Sequence, residues 1–276
     1  MKRFGNDMRR IIQIAPIIFF FSLFASTIQA DTYIVGAQDI EYSPYYDFSS
    51  QHEKGVGWAI LEAFSRQSGH QFIYLSMPIK RLQIELKKGN VDFVFPDNPR
   101  WSEPLTHSLD KVYSLPLVDT FAVTLVKSKN QGRGMTEVKK LIIPDGFTPA
   151  KWKKQISENT VNIVGVKSVY EGLSLLNKEE ADAMDVEYNA AHRILRRYPN
   201  IDQLTADLTL PHNMVSFSIS TVQHPDIIKE VNAFILSNSK ALDEIKDKYG
   251  IEETQQLTQR LMKEQGLETN DLWSSL

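Results

Sequence analysis

Short apolar runs alternate with amphipathic stretches along most of the chain. "TYIVGAQ" (Thr32–Gln38) is apolar and β-branched and predicts a buried strand, followed by an aromatic-rich loop, "DIEYSPYYDFSS". "GVGWAILEAFSRQSG" then sets Trp58, Leu61 and Phe64 on one helical face, and Gly69 supplies the C-terminal stop. "QFIYLSM" reads as the next strand. "PIKRLQIELKKGN" reads as the next helix, opened by Pro78 near its first position and closed by Gly89, and "VDFVF" as a strand that stops at Pro96. Strand, helix, strand, helix and strand at this spacing predict βαβ units on a parallel sheet.

The second half repeats the theme more weakly. "LPLVDTFAVTLVKS" (Leu115–Ser128) is a long β-branched stretch suited to a strand crossing between two lobes. After the turn "KNQGRGM" come "KLIIP", the turn "DGFTP", "TVNIVGV", the helix "SVYEGLSLLNKEE", the strand "DAMDV" and the helix "EYNAAHRILRRY". "HNMVSFSIST" (His212–Thr221) alternates again and fits a return crossing. The remainder is helical and ends in a polar amphipathic tail whose charge pattern is that of a solvated helix face. The pattern predicts an α/β chain of two lobes, residues 31–118 with 219–276 and residues 119–218. They are joined by two hinge crossings, with a ligand cleft at the carboxyl ends of the strands.

The amino terminus stands apart. "MKRFGNDMRR" carries Lys2, Arg3, Arg9 and Arg10 ahead of "IIQIAPIIFFFSLFA" and the small residues up to Ala30, the pattern of a secretory signal peptide cut near Ala30. The apolar run falls short of the ~20 residues of a spanning helix, and Gln13 and Pro16 interrupt it. With no cysteine in the chain, neither a lipid-anchored cysteine nor a disulfide framework is available. Removing the four basic residues and one acid of residues 1–30 takes the formal charge from −3 to −6. A mildly acidic exported chain fits the periplasm and argues against nucleic acid or an anionic membrane as a partner.

Several ordered motifs carry a resemblance. They are "YSPYYDF" followed by Gly55 at the head of a helix, "ELKKGNVDF", "DNPR", "YSLP", "LLNKEEADAMDVE" and "VNAFILSN…LDEIKDKYGI". In this order over most of the chain, the sequence resembles the type II periplasmic solute-binding proteins, in particular the polar amino-acid-binding group associated with ABC transporters. The resemblance implies a two-lobed monomer that closes on a small polar, amino-acid-like ligand and docks on an inner-membrane permease, without a cofactor. It also implies that Arg100 holds the ligand's carboxylate and that Glu187 or its neighbour Asp185 holds the ammonium.

The residues themselves permit these roles and simpler ones. The guanidinium of Arg100 offers a bidentate grip on a carboxylate, or it is an ordinary surface arginine after a loop. Glu187 and Asp185 suit an ammonium, or Glu187 is an acid placed at a helix start. Tyr42, Tyr46 and Trp101 offer stacking area with a polar handle, whereas Trp58 on an apolar helix face fits the core. Thr148 and Gly146 can donate to a carboxylate or serve as turn residues. Lys80 and Arg81 add positive potential at the cleft or lie on a solvated face.

No catalytic motif appears. The six histidines are scattered without metal spacing, and there is neither a Gly-x-Ser-x-Gly elbow nor a phosphate loop. A carboxylate pair assembled by folding would still allow an enzyme on the same scaffold, resembling cyclohexadienyl dehydratase. A ligand-presenting sensor subunit is the other alternative.

Overall fold

The computed structural model describes residues 30–101, 106–201 and 203–267, so the signal peptide expected over residues 1–30 lies outside the described residues but for Ala30. Lobe one begins with β1 (Thr32–Gln38), α1 (Val56–Ser68), β2 (Gln71–Met77), α2 (Ile79–Lys88), β3 (Phe93–Asp97) and the short β4 (Val112–Tyr113). The long β5 (Val118–Lys127) leads into lobe two. There follow β6 (Lys140–Pro144), α3 (Lys153–Ser157), β7 (Asn162–Val166), α4 (Val169–Asn177), β8 (Ala183–Glu187), α5 (Tyr188–Arg197) and β9 (Leu204–Ala206). β10 (Asn213–Thr221) returns, and α6 (Pro225–Ser237), α7 (Ser239–Lys248) and α8 (Thr254–Glu264) complete the chain.

The strands run in the order β2-β1-β3-β10-β5-β8-β6-β7, with β4 on β10 and β9 on β5. β1 is parallel to β2 and β3, and β6 is parallel to β7 and β8, as the βαβ spacing predicts. β10 joins the two sets. Its N-terminal half pairs antiparallel with β5 and its C-terminal half with β3, so β5 and β10 are the two crossings.

β3 differs from its expected end at Pro96 and runs on to Asp97. Proline cannot donate to a ladder, and here the ladder shifts register beside it. Val94 faces Ser220 and Asp97 faces Ser218, so two residues of β3 oppose one of β10. That irregularity carries Asp97 to the mouth of the sheet, where the site begins.

The lobe boundary also differs from expectation at the C-terminus. α8 sits on lobe two, although residues 219–276 are assigned to lobe one by the sequence pattern. Gln265 Nε2 donates to Ala206 O at 2.9 Å, Leu208 N donates to Gln265 Oε1 at 3.0 Å, and the Arg260 guanidinium lies 6.0 Å from the Tyr188 ring. The buried stripe of α8, Leu257, Leu261 and Met262, needs an apolar partner. In lobe one α7 packs against α1 and α6, whereas α8 packs against β5. Among the described residues no helix is long and apolar enough to cross a membrane.

Candidate functional site

The cleft lies where β1, β3, β6, β8 and the two crossings converge at strand ends. It encloses about 870 Å³ including its opening. Lobe one contributes Gln38, Tyr42, Ile79, Gln83, Asp97 and Trp101. Lobe two contributes Ile143, the turn Gly146–Phe147–Thr148, and Asp185 to Glu187, while Thr120, Asn213 and Phe217 come from the crossings.

The tyrosine loop after β1 is set by Gly55. Its φ of +94° is a conformation that side chains with a Cβ rarely adopt, and a Cβ there would stand 2.5 Å from Tyr45 O. The loop therefore packs directly on the start of α1. It delivers three rings to different ends. Tyr42 lines the cleft and lies 5.2 Å from Phe147 of the opposite lobe. Tyr45 reaches the end of β8, and Tyr46 turns inward, donating to Gln38 Oε1 at 2.7 Å.

Glu187 is 2 % exposed and enclosed by donors. Tyr45 OH donates to its Oε1 at 2.8 Å, Ala190 N to its Oε2 at 2.7 Å, and its own N–H donates to Tyr42 OH at 2.9 Å. It is thus the N-cap of α5 and a link between lobes. Burial still dominates, and pushes its carboxyl up to about 7. Asp185, two residues back on the same strand face, also lines the cleft, and burial likewise pushes it up to about 7. Among the described residues its carboxylate has no hydrogen-bond partner.

Asp97 is the third carboxylate, and it is neutralised. Lys111 Nζ donates to its Oδ2 at 2.9 Å and Ser220 Oγ at 2.6 Å; the same ammonium donates to Gln83 Oε1 at 3.0 Å. Both charged side chains are almost fully buried. Such a pair fixes the floor of the cleft and leaves it no free charge.

Five of the eight residues expected at the site line the cleft: Glu187, Asp185, Tyr42, Trp101 and Thr148. The other three do not. Arg100 is exposed, and its Nη2 donates to Met214 O at 2.6 Å. The cause is the turn after β3: Asn98 Oδ1 accepts from Arg100 N at 2.8 Å and Asn98 O from Trp101 N at 3.0 Å, which sends the indole to the cleft and the guanidinium outward. Arg81 lies on the solvent side of α2, with Nε 2.7 Å from Glu85 Oε1, because Ile79 and Gln83 hold the cleft side at i and i+4. Tyr46 is buried beneath the cleft beside Phe95 and Phe217.

The sequence reading misses Gln38, Gln83, Asp97, Phe147, Asn213 and Phe217. The positions of Gln38 and Asp97 at strand ends are the available signal; the others reach the cleft through long-range packing. Among the described residues no lysine, arginine or histidine lines the cleft, and no group of three His, Cys, Asp or Glu is placed to hold a metal ion.

No protein-family model and no curated protein matches the sequence. Solved structures match the fold. An ancestral arginine-binding protein bound to arginine is 17% identical, with a TM-score of 0.64 over 79% of this chain and 97% of its own. An arginine transport-system periplasmic binding protein from Legionella pneumophila is 15% identical, with a TM-score of 0.63 over 80% of this chain and 100% of its own. A histidine kinase sensor domain similar to periplasmic binding proteins is 17% identical, with a TM-score of 0.62 over 79% of this chain and 95% of its own. The chain has the two-lobed fold of periplasmic binding proteins.

Proposed function

We propose that this two-lobed protein is an exported solute-binding protein that closes on a small polar solute carrying an ammonium group. The observation that carries the reading is Asp185, a carboxylate on the wall of an interlobe cleft with no partner of its own among the described residues. Asp185 is only partly removed from water in the open cleft, closure removes more, and a cationic ligand then supplies the pair that a desolvated carboxylate needs. Closure removes water from that contact and makes it selective, while β5 and β10 take up the change in backbone angle.

The protein acts in the periplasm as a monomer after its signal peptide is cut near Ala30. It hands its solute to an inner-membrane permease of the ABC type. The basic-apolar-small pattern of residues 1–30 supports export, and the arginine transport-system neighbour supports the transport role.

A thermal-shift screen against amino acids, small carboxylates, polyamines and short peptides tests the reading. A ligand at a hundredfold excess over Kd stabilises the native state by about 2.7 kcal/mol. A shift that disappears in Asp185→Asn supports it; no shift with any solute overturns it.

Two carboxyls titrating near 7 in one cleft also favour a second reading, an enzyme using one of them as general acid. Conversion of a screened solute without added cofactor would decide for it. A sensor subunit, as the kinase sensor-domain neighbour suggests, would bind as a transport protein does and present its ligand to a receptor.

A further inference from the structure

The charges along the cleft are all of one sign. Asp97, Asp185 and Glu187 line it, and among the described residues no cationic side chain does. Asp97 is matched by Lys111, and Glu187 by Tyr45 and the first turn of α5, which leaves Asp185 unmatched. The α5 amide that could hold a ligand carboxylate, Ala190 N, is already taken by Glu187 Oε2. Arg100, the one cation expected to hold a carboxylate, donates to Met214 O outside the cleft.

Four aromatic rings share the remaining wall with neutral side chains such as Thr120, Thr148 and Asn213. Tyr42 and Phe147 meet across the lobes at 5.2 Å, and Trp101 stands 5.9 Å from Phe217. Ring faces attract a cation and give nothing to an anion. A solute carrying both an ammonium and a carboxylate would bring its anion beside Asp185 and Glu187 with no cation to receive it, and like charges at short range repel.

We propose that the cleft selects organic amines lacking a carboxylate over the corresponding amino acids, with Asp185 as counter-ion and Tyr42, Phe147 and Trp101 as the walls around the cation. This rests on the solute-binding reading above and names its ligand class. A protein of this fold would then sort decarboxylated amines from amino acids by omitting the carboxylate grip.

Matched pairs test it by isothermal titration of the purified protein: putrescine against ornithine, cadaverine against lysine, agmatine against arginine, histamine against histidine. Glutarate and glucose provide the anionic and neutral arms. The expected result is at least tenfold tighter binding of one amine than of its amino acid. That binding should weaken at least tenfold in Asp185→Asn and severalfold in Phe147→Leu, which keeps an apolar side chain and removes the ring. Thermal melts of both variants establish that they are folded.

An amino acid binding as tightly as its amine overturns the inference and leaves solute binding standing. Binding of glutarate or glucose alone does the same. Amine binding that persists unchanged in folded Asp185→Asn overturns the assigned counter-ion. No heat and no thermal shift with any solute removes both the inference and the reading beneath it.

Discussion

The Tyr45 hydroxyl donates to Glu187 Oε1 at 2.8 Å, joining the loop after β1 to the N-terminus of α5 across the lobe boundary. Glu187 N completes the link by donating to Tyr42 OH at 2.9 Å. Removing the Tyr45 hydroxyl leaves the buried Glu187 Oε1 only the long contacts from Phe121 N and Asn189 Nδ2, both 3.4 Å, which costs about 1–3 kcal/mol. Tyr45→Phe should therefore lower the Tm by several degrees, since about 2–4 °C accompanies each kcal/mol at this chain length. Small-angle scattering of the ligand-free variant should also show a larger radius of gyration. A lowered Tm without expansion would mean that the bond adds stability without holding the lobes together.

Asp185 and Glu187 give the ligand-free protein a pH dependence of definite sign. Burial raises both carboxyls to about 7. A group with a raised folded pKa stabilises the fold below its unfolded value, about 4 for a carboxyl. That stabilisation is lost as the pH rises through the folded value. Denaturation midpoints should consequently fall between pH 5 and pH 8. Water in the cleft screens Asp185, so its share is held to about 1–2 kcal/mol of the total, at about 1.4 kcal/mol for each pKa unit. Asp185→Asn should flatten the profile and raise stability at pH 8 while changing little at pH 5. A profile as steep as that of the parent would exclude Asp185 as its source.

The paired strand-end charge behaves differently. Asp97 and Lys111 lie 2.9 Å apart with both side chains almost fully buried. Breaking such a pair leaves a lone buried charge and costs about 3–5 kcal/mol, whereas replacing both partners costs far less. Lys111→Met should be severely destabilised, and the double variant Asp97→Asn with Lys111→Met should recover much of the loss. Urea denaturation of the cycle gives the coupling directly. Additive losses would mean that the two side chains do not act as a unit.

Much of this frame is legible in the amino-acid pattern because it depends on local periodicity. β1 and β2 fall on the expected residues, and the two long β-branched runs are the crossings. The site is less legible because it depends on orientation. Arg100 and Trp101 are neighbours, yet one Asx turn sends them to opposite sides. Arg81 and Gln83 share a helix, and only the pitch of α2 separates solvent from cleft. Phe147 and Phe217 belong to segments far apart in sequence, so no local pattern could pair them with Tyr42 and Trp101. The place of α8 is illegible for the same reason: its apolar stripe says that it packs, and only long-range contacts say where.

The turn after β3 makes a direct comparison. Trp101 lines the cleft, while Arg100 donates outward to Met214 O. With the tightest solute found in the screen, Trp101→Ala should weaken binding at least tenfold, the loss of about 1.4 kcal/mol. Arg100→Ala should change affinity less than threefold and lower stability by about 1 kcal/mol through the lost hydrogen bond. Titration calorimetry of the two variants separates these effects. A tenfold loss in Arg100→Ala would return the guanidinium to the binding site.

Gly55 supports the site from behind, and a second glycine isolates how. Gly55 and Gly69 both have positive φ, +94° and +83°. At Gly69 a new Cβ meets nothing within 4 Å, so Gly69→Ala carries only the backbone penalty, about 1–2 kcal/mol. At Gly55 the same methyl would stand 2.5 Å from Tyr45 O and 2.7 Å from Tyr46 Cα, and must push the tyrosine loop aside. Gly55→Ala should therefore cost distinctly more than Gly69→Ala in urea denaturation. It should also weaken solute binding, because displacing the loop moves Tyr42 off the cleft wall and Tyr45 off Glu187. Gly69→Ala, at the far end of α1, should bind normally. Equal effects of the two substitutions on affinity would show that the loop's packing on α1 does not position the cleft.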